Sequence, residues 1–162
     1  MKTAALTVTT PSEREVVMTR EFDAARGMVF DALTKPDLLR RWLLGHPGWT
    51  MPVCEIDLRV GGKYRYVWKN ADGRTMGMGG TFTEVVRPSR VVATQLFDED
   101  WTGGETIVIT DIVEKKGKST ITTTVRYSSR AARDAALKTG MTTGMEAGYE
   151  RLEQLLQETA HG

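Results

Sequence analysis

The sequence predicts an α+β fold in which one curved antiparallel sheet carries a long C-terminal helix across one face. Two observations lead there. Between residues 53 and 127 apolar side chains alternate with period two in six successive runs, with short turns between them. Strands joined by tight turns must run antiparallel. From residue 137 to 156 the period changes, and Leu137, Met141, Met145, Tyr149, Leu152, Leu155 and Leu156 fall within about half of a helical circumference. A sheet and a helix that each own one apolar face bury both by stacking.

Residues 1–13 are small, polar and threonine-rich, which predicts a flexible N-terminal tail or extended lead-in before a single domain spanning 14–158. Glu15–Phe22 alternates, with Val16, Met18 and Phe22 on one side, and reads as the first strand. Asp23 offers a cap for a short helix containing Val29, Phe30, Ala32 and Leu33. Pro36 then interrupts that helix and, as a first helical residue, starts a second one through Trp42. A loop over 45–52 holds His46 and Trp49.

Strands follow at 53–59, 63–69, 75–85, 90–97, 105–114 and 118–127, so the sheet has seven. Ser128 or Ser129 caps the final helix, which starts near Ala131. Gly140, Gly144 and Gly148 border its apolar face. Each costs about 1 kcal/mol relative to alanine. Burying each large side chain returns about 1.5–3 kcal/mol, so the helix forms despite them. The glycines therefore face either a closely packed backbone or space kept open for a ligand. Glu146, Glu150 and Glu153 lie opposite and should be solvated.

Composition excludes several functions. Twenty-two basic residues against 21 acidic ones leave a net charge of +1, with no strong pull toward nucleic acid or an anionic membrane. No apolar run reaches membrane-spanning length. The start of the chain lacks the apolar stretch of a secretion signal. A single cysteine, Cys54, cannot form an internal disulfide and suits a reducing compartment. A soluble cytoplasmic protein is the expectation.

The chemistry-bearing residues are mostly apolar. Tyr64, Tyr66 and Trp68 share one strand face, and the Asp72-Gly73 turn brings Met76, Met78 and Phe82 beside them. This set would oppose Met141, Gly144, Met145 and Tyr149 on the helix, with Trp42 and Trp49 nearby. It reads as a pocket for an apolar ligand or as an ordinary core rich in methionine and aromatics. Asp111, among Ile107, Ile109 and Val113, is either a polar anchor in that pocket or turned outward by a bulge. Trp101, in the acidic glycine-rich loop after Phe97, is either a lid or folded onto the body. Asp57 and Arg59 read as an ion pair rather than an acid–base couple. Two histidines and one cysteine give no metal-site spacing, and no phosphate loop, dinucleotide fingerprint or nucleophile elbow is present. No catalytic residue, metal or cofactor is assigned.

Phe30-Asp31-Ala32-Leu33-Thr34, Pro36 and Trp42 open a series of motifs. It continues through residues 57–65 (DLRVGGKYR), Gly80-Thr81-Phe82, Pro88-Ser89-Arg90-Val91-Val92 and Gly140-Met141-Thr142-Thr143-Gly144. Together, in this order, they resemble the family homologous to the activator of the heat-shock-protein-90 ATPase, within the START and birch-pollen-allergen-like superfamily. The resemblance runs from about Glu15 to Leu156. It implies a helix-grip fold: a seven-stranded curved antiparallel sheet around the C-terminal helix, two short helices between the first two strands, and a cavity between sheet and helix. Ala25 and Leu43 depart from the proline and second tryptophan common there. Three functions follow as alternatives: binding of a small hydrophobic or amphipathic ligand, a stress-related interaction with a chaperone, and a polyketide cyclase- or hydrolase-like enzyme. A homodimer stays open as well. The eukaryotic co-chaperone has an additional N-terminal domain, for which this chain leaves no room, so stimulation of that ATPase is not expected.

Overall fold

The structure is a computed structural model that describes residues 5–44, 47–99 and 104–161. Its strands are β1 (Thr7–Thr9), β2 (Glu15–Phe22), β3 (Trp49–Ile56), β4 (Lys63–Asn70), β5 (Thr75–Val86), β6 (Arg90–Phe97), β7 (Thr106–Lys115) and β8 (Lys118–Arg126). The helices are α1 (Arg26–Thr34), α2 (Pro36–Leu39), α3 (Arg130–Leu137) and α4 (Met141–His161). All eight strands form one antiparallel sheet in the order β1-β2-β8-β7-β6-β5-β4-β3. The α+β helix-grip architecture is the one expected, with one more strand. The extra strand lies inside the expected tail, where Thr7 pairs with Thr19 and Thr9 with Val17. Alternating threonine and valine suit an edge strand, but three residues are too few for the pattern to stand out.

The chain crosses from one side of the sheet to the other between β2 and β3, and α1 and α2 make that crossing. Ala25, not Asp23, is the N-cap of α1, with no side-chain cap bond. Pro36 opens α2 as predicted. The β3 strand begins at Trp49, within the expected loop, and its register with β4 shifts between Thr50 and Val53. That irregularity hides the start of the strand from a strict period-two reading.

The predicted final helix is two helices. Ser129 caps α3 by accepting a hydrogen bond from Ala132 N at 3.0 Å. Gly140 then adopts φ +82°, a left-handed conformation that glycine reaches at little cost. Only Gly144 and Gly148 therefore sit inside α4, which lowers the helical cost of glycine to about 2 kcal/mol.

Two apolar clusters result. The larger joins Phe22, Phe30, Trp42, Tyr64, Phe82, Ile121, Tyr149, Leu152 and Leu156. The smaller packs Ala132 and Ala136 of α3 against Val16, Met18, Val125 and Tyr127. Met145 touches both.

Arg20 went unnoticed in the sequence, because an arginine on a strand usually points to water. Its side chain is 1% exposed. It packs on the Phe22 ring, 4.5 Å from the centroid, and bonds Glu153 at 3.2 Å with Glu150 at 3.6 Å. Glu150 stays exposed, as expected, while Glu153 is largely covered; both face Arg20 and help hold α4 on the sheet.

Candidate ligand cavity

Along β4 the side chains of Tyr64, Tyr66 and Trp68 point to the concave face, as the alternation predicts. The hairpin to β5 sets Tyr66 opposite Met78 and Trp68 opposite Met76. The rings form a continuous wall: Tyr64 to Tyr66 is 5.0 Å between centroids, Tyr64 to Phe82 5.3 Å, and Tyr66 to Trp68 5.9 Å. From the other side, Tyr149 of α4 contacts Trp42 at 5.6 Å and Phe22 at 5.3 Å. Between the wall and α4 lies a cavity of about 540 Å³, within the usual range for small-molecule sites.

Twelve of the thirteen site residues singled out in the sequence line this cavity: Trp42, Trp49, Tyr64, Tyr66, Trp68, Met76, Met78, Phe82, Met141, Gly144, Met145 and Tyr149. Met76 is 41% exposed and reaches the lining from the outer part of β5. Asp111 is the exception. On β7 the concave positions are Val108, Thr110 and Ile112, so the parity of the strand puts Asp111 on the convex face with Ile107 and Val113. There it accepts from Arg90 Nη1 at 2.8 Å, while Arg90 Nε donates to Glu84 at 2.9 Å. Hydrogen bonding by Asp111 raises the pKa of the Arg90 guanidinium. The isoleucines beside Asp111 suggested a core face, but they are the outer face of the sheet.

Several lining residues were missed. Leu33, Leu43 and Leu44 arrive from the crossing segment, Gln95, Phe97 and Thr123 from the strands, and Tyr127 from just after β8. Strand parity, continued from Ala93 to Gln95 and Phe97, was a usable signal for the β6 pair. Leu43, at one family departure, also accepts a hydrogen bond from Trp68 Nε1 at 2.7 Å through its carbonyl. Trp101 lies outside the described residues, as does His46. Asp57 and Arg59 form the expected ion pair at 2.9 Å.

The tyrosines of the cavity are neutral. Burial raises the phenol pKa values of Tyr64, Tyr66 and Tyr149 and pushes Tyr127 up to about 12, so all four keep their protons. Tyr64 donates to the Thr94 carbonyl at 2.6 Å, Tyr127 to the Met141 sulfur at 3.4 Å, and Tyr149 shares a 3.4 Å contact with Thr123. Among the described residues no three or more His, Cys, Asp or Glu side chains gather as metal ligands.

Gly80 allows a close backbone approach behind this wall. The Thr94 carbonyl occupies the volume that a Gly80 side chain would fill, and the Tyr64 hydroxyl donates to that carbonyl. Gly80→Ala should lower stability by about 1–3 kcal/mol, the usual cost of overpacking. Urea denaturation midpoints would check this; an unchanged midpoint would show that the strand relaxes freely.

The profile of the family described as activator of Hsp90 ATPase homolog 1-like protein matches residues 23–157, most of the chain. The chain belongs to that family. Solved structures agree with this Hsp90-ATPase-activator-homologue-1-like assignment. A Rhodobacter sphaeroides protein is 33% identical, with TM-score 0.90 over 95% of this chain and 99% of its own. A Staphylococcus epidermidis protein is 25% identical, with TM-score 0.81 over 94% of each chain. The AHSA1-like protein from Aeromonas hydrophila, at 20% identity and TM-score 0.69 over 86% of this chain and 93% of its own, shares the fold. No curated protein matches the chain. The structure also shows no helix long and apolar enough to cross a membrane among the described residues.

Proposed function

We propose that this protein binds a small, largely apolar molecule between the concave face of its sheet and α4. One observation carries the reading: methionines and aromatic rings from separate strands and α4 surround a cavity of about 540 Å³ instead of closing it. Interiors are normally packed with few voids larger than a water molecule. A space of this size, lined by side chains that adapt easily to a guest, fits a binding role better than a structural one.

An environment-sensitive apolar dye should bind the native protein saturably, with about 1:1 stoichiometry, and change the tryptophan fluorescence through Trp42, Trp49 and Trp68. Fluorescence titration measures this; no saturable binding by folded protein would remove the proposal. Native mass spectrometry of freshly purified protein would identify a molecule carried from the cell. The family description makes chaperone interaction the alternative. Stimulation of a heat-shock-protein-90 ATPase by stoichiometric protein would favour that alternative; none is expected.

A further inference from the structure

We infer that the cavity selects uncharged molecules bearing a hydrogen-bond acceptor, and that the Tyr66 hydroxyl is the group that recognises it. This rests on the binding role proposed above and adds the class of ligand.

Tyr66 is 9% exposed and its ring is fixed between Tyr64 and Trp68 in the aromatic wall. Its neighbours on the wall have committed their polar atoms: Tyr64 donates to Thr94 and Trp68 to Leu43. The Tyr66 hydroxyl has no hydrogen-bond partner among the described residues, yet it is not among the polar atoms sealed from access. A nearly buried hydroxyl left unpaired is costly, and buried polar groups are almost always bonded. An oxygen acceptor on a bound molecule would complete it. Burial keeps the proton on this phenol, so its O–H is available to donate to such an acceptor.

Charge is excluded by the same wall. Among the described residues no Asp, Glu, Lys or His lines the cavity. Arg90 contributes to the lining, but its guanidinium is occupied on the convex face by Glu84 and Asp111. A carboxylate entering the cavity would lose its water shell without gaining a cation, which is strongly unfavourable. A neutral ketone, aldehyde, ester or ether loses far less and gains the Tyr66 bond.

Three probes of one ring size separate the terms: naphthalene, 2-acetonaphthone and 2-naphthoate, titrated into wild type and Tyr66→Phe. In the wild type the ketone should bind about five- to tenfold tighter than naphthalene, the effect of one neutral hydrogen bond in a dry site. The naphthoate should bind at least about tenfold weaker than the ketone. In Tyr66→Phe the preference for ketone over naphthalene should fall to within about twofold. Naphthalene should bind Tyr66→Phe at least as tightly as the wild type, since no hydroxyl is then left unpaired against it, and an unchanged denaturation midpoint shows that the variant keeps its fold. Difference infrared spectra give a second readout. The carbonyl stretch of the bound ketone should lie where it does in alcohol for the wild type, and where it does in hydrocarbon for the variant.

Wild type that does not prefer the ketone over naphthalene overturns the inference without recourse to any variant. So does a preference that survives Tyr66→Phe, or naphthoate bound as tightly as the ketone. If the apolar dye binds and none of the naphthalenes does, this inference fails alone; if the dye fails too, the binding role fails with it.

Discussion

Gly144→Leu is expected to reduce dye or ligand affinity at least about tenfold while leaving the fold intact, and Gly148→Leu to do the reverse. The two glycines lie one helical turn apart on α4, so helix propensity favours leucine equally at both, by about 0.8–1 kcal/mol. Their neighbours differ. Gly144 lines the cavity, and a leucine there can project into it, occupying volume that a ligand needs. A Cβ on Gly148 would lie 3.2 Å from the Trp42 carbonyl oxygen and 3.7 Å from its ring. Leucine at that position must displace α2 and the turn after it, and overpacking of this kind costs about 1–3 kcal/mol. Denaturant midpoints and dye titrations on both variants decide the matter. A clear loss of stability in Gly144→Leu would show that the space beside it is not available to a side chain, and would count against the cavity as a binding site.

Trp42→Ala should have the largest effect on stability, about 3–5 kcal/mol. The residue is 2% exposed. It donates from Nε1 to the Ala32 carbonyl at 2.9 Å, packs on Tyr149, and lies beside Gly148. It therefore holds the end of α1, the segment after α2, and α4 in one cluster. Removing it leaves a large void beside Tyr149 and Gly148 and takes the Nε1 donor away from the Ala32 carbonyl. For a chain of this length the melting temperature should fall by roughly 6–20 °C. Domains are stable by only about 5–15 kcal/mol, so a loss of this size removes a large share of the margin. Differential scanning calorimetry tests this; a fall of about 1 kcal/mol or less would mean that the α1–α2 segment closes over the void, and that Trp42 is lining more than anchor.

What the sequence determined by itself is set by short-range rules. Side-chain alternation along a strand is period two, so Tyr64, Tyr66 and Trp68 had to share a face, and the Asp72-Gly73 turn had to bring Met76 and Met78 to them. Helical period placed Met145, Tyr149 and Leu152 together on α4 in the same way. Fold, family and the aromatic and methionine walls of the candidate cavity follow from those two periods and the ordered motifs, while the lining that comes from the α1–α2 crossing segment does not.

The tertiary structure decided what periodicity leaves open, namely which of two equivalent faces is inside. Asp111 and its isoleucines alternate perfectly, and only the curvature of the sheet puts them on the convex side. Arg20 is buried because α4 brings Glu150 and Glu153 within reach, a pairing across more than a hundred residues that no local pattern encodes. The three glycines look alike in the chain, four residues apart. Gly140 turns the chain into α4, Gly144 borders the cavity and Gly148 meets Trp42. Their roles differ because a glycine's function is defined by what approaches it, and the approaching groups come from distant parts of the chain.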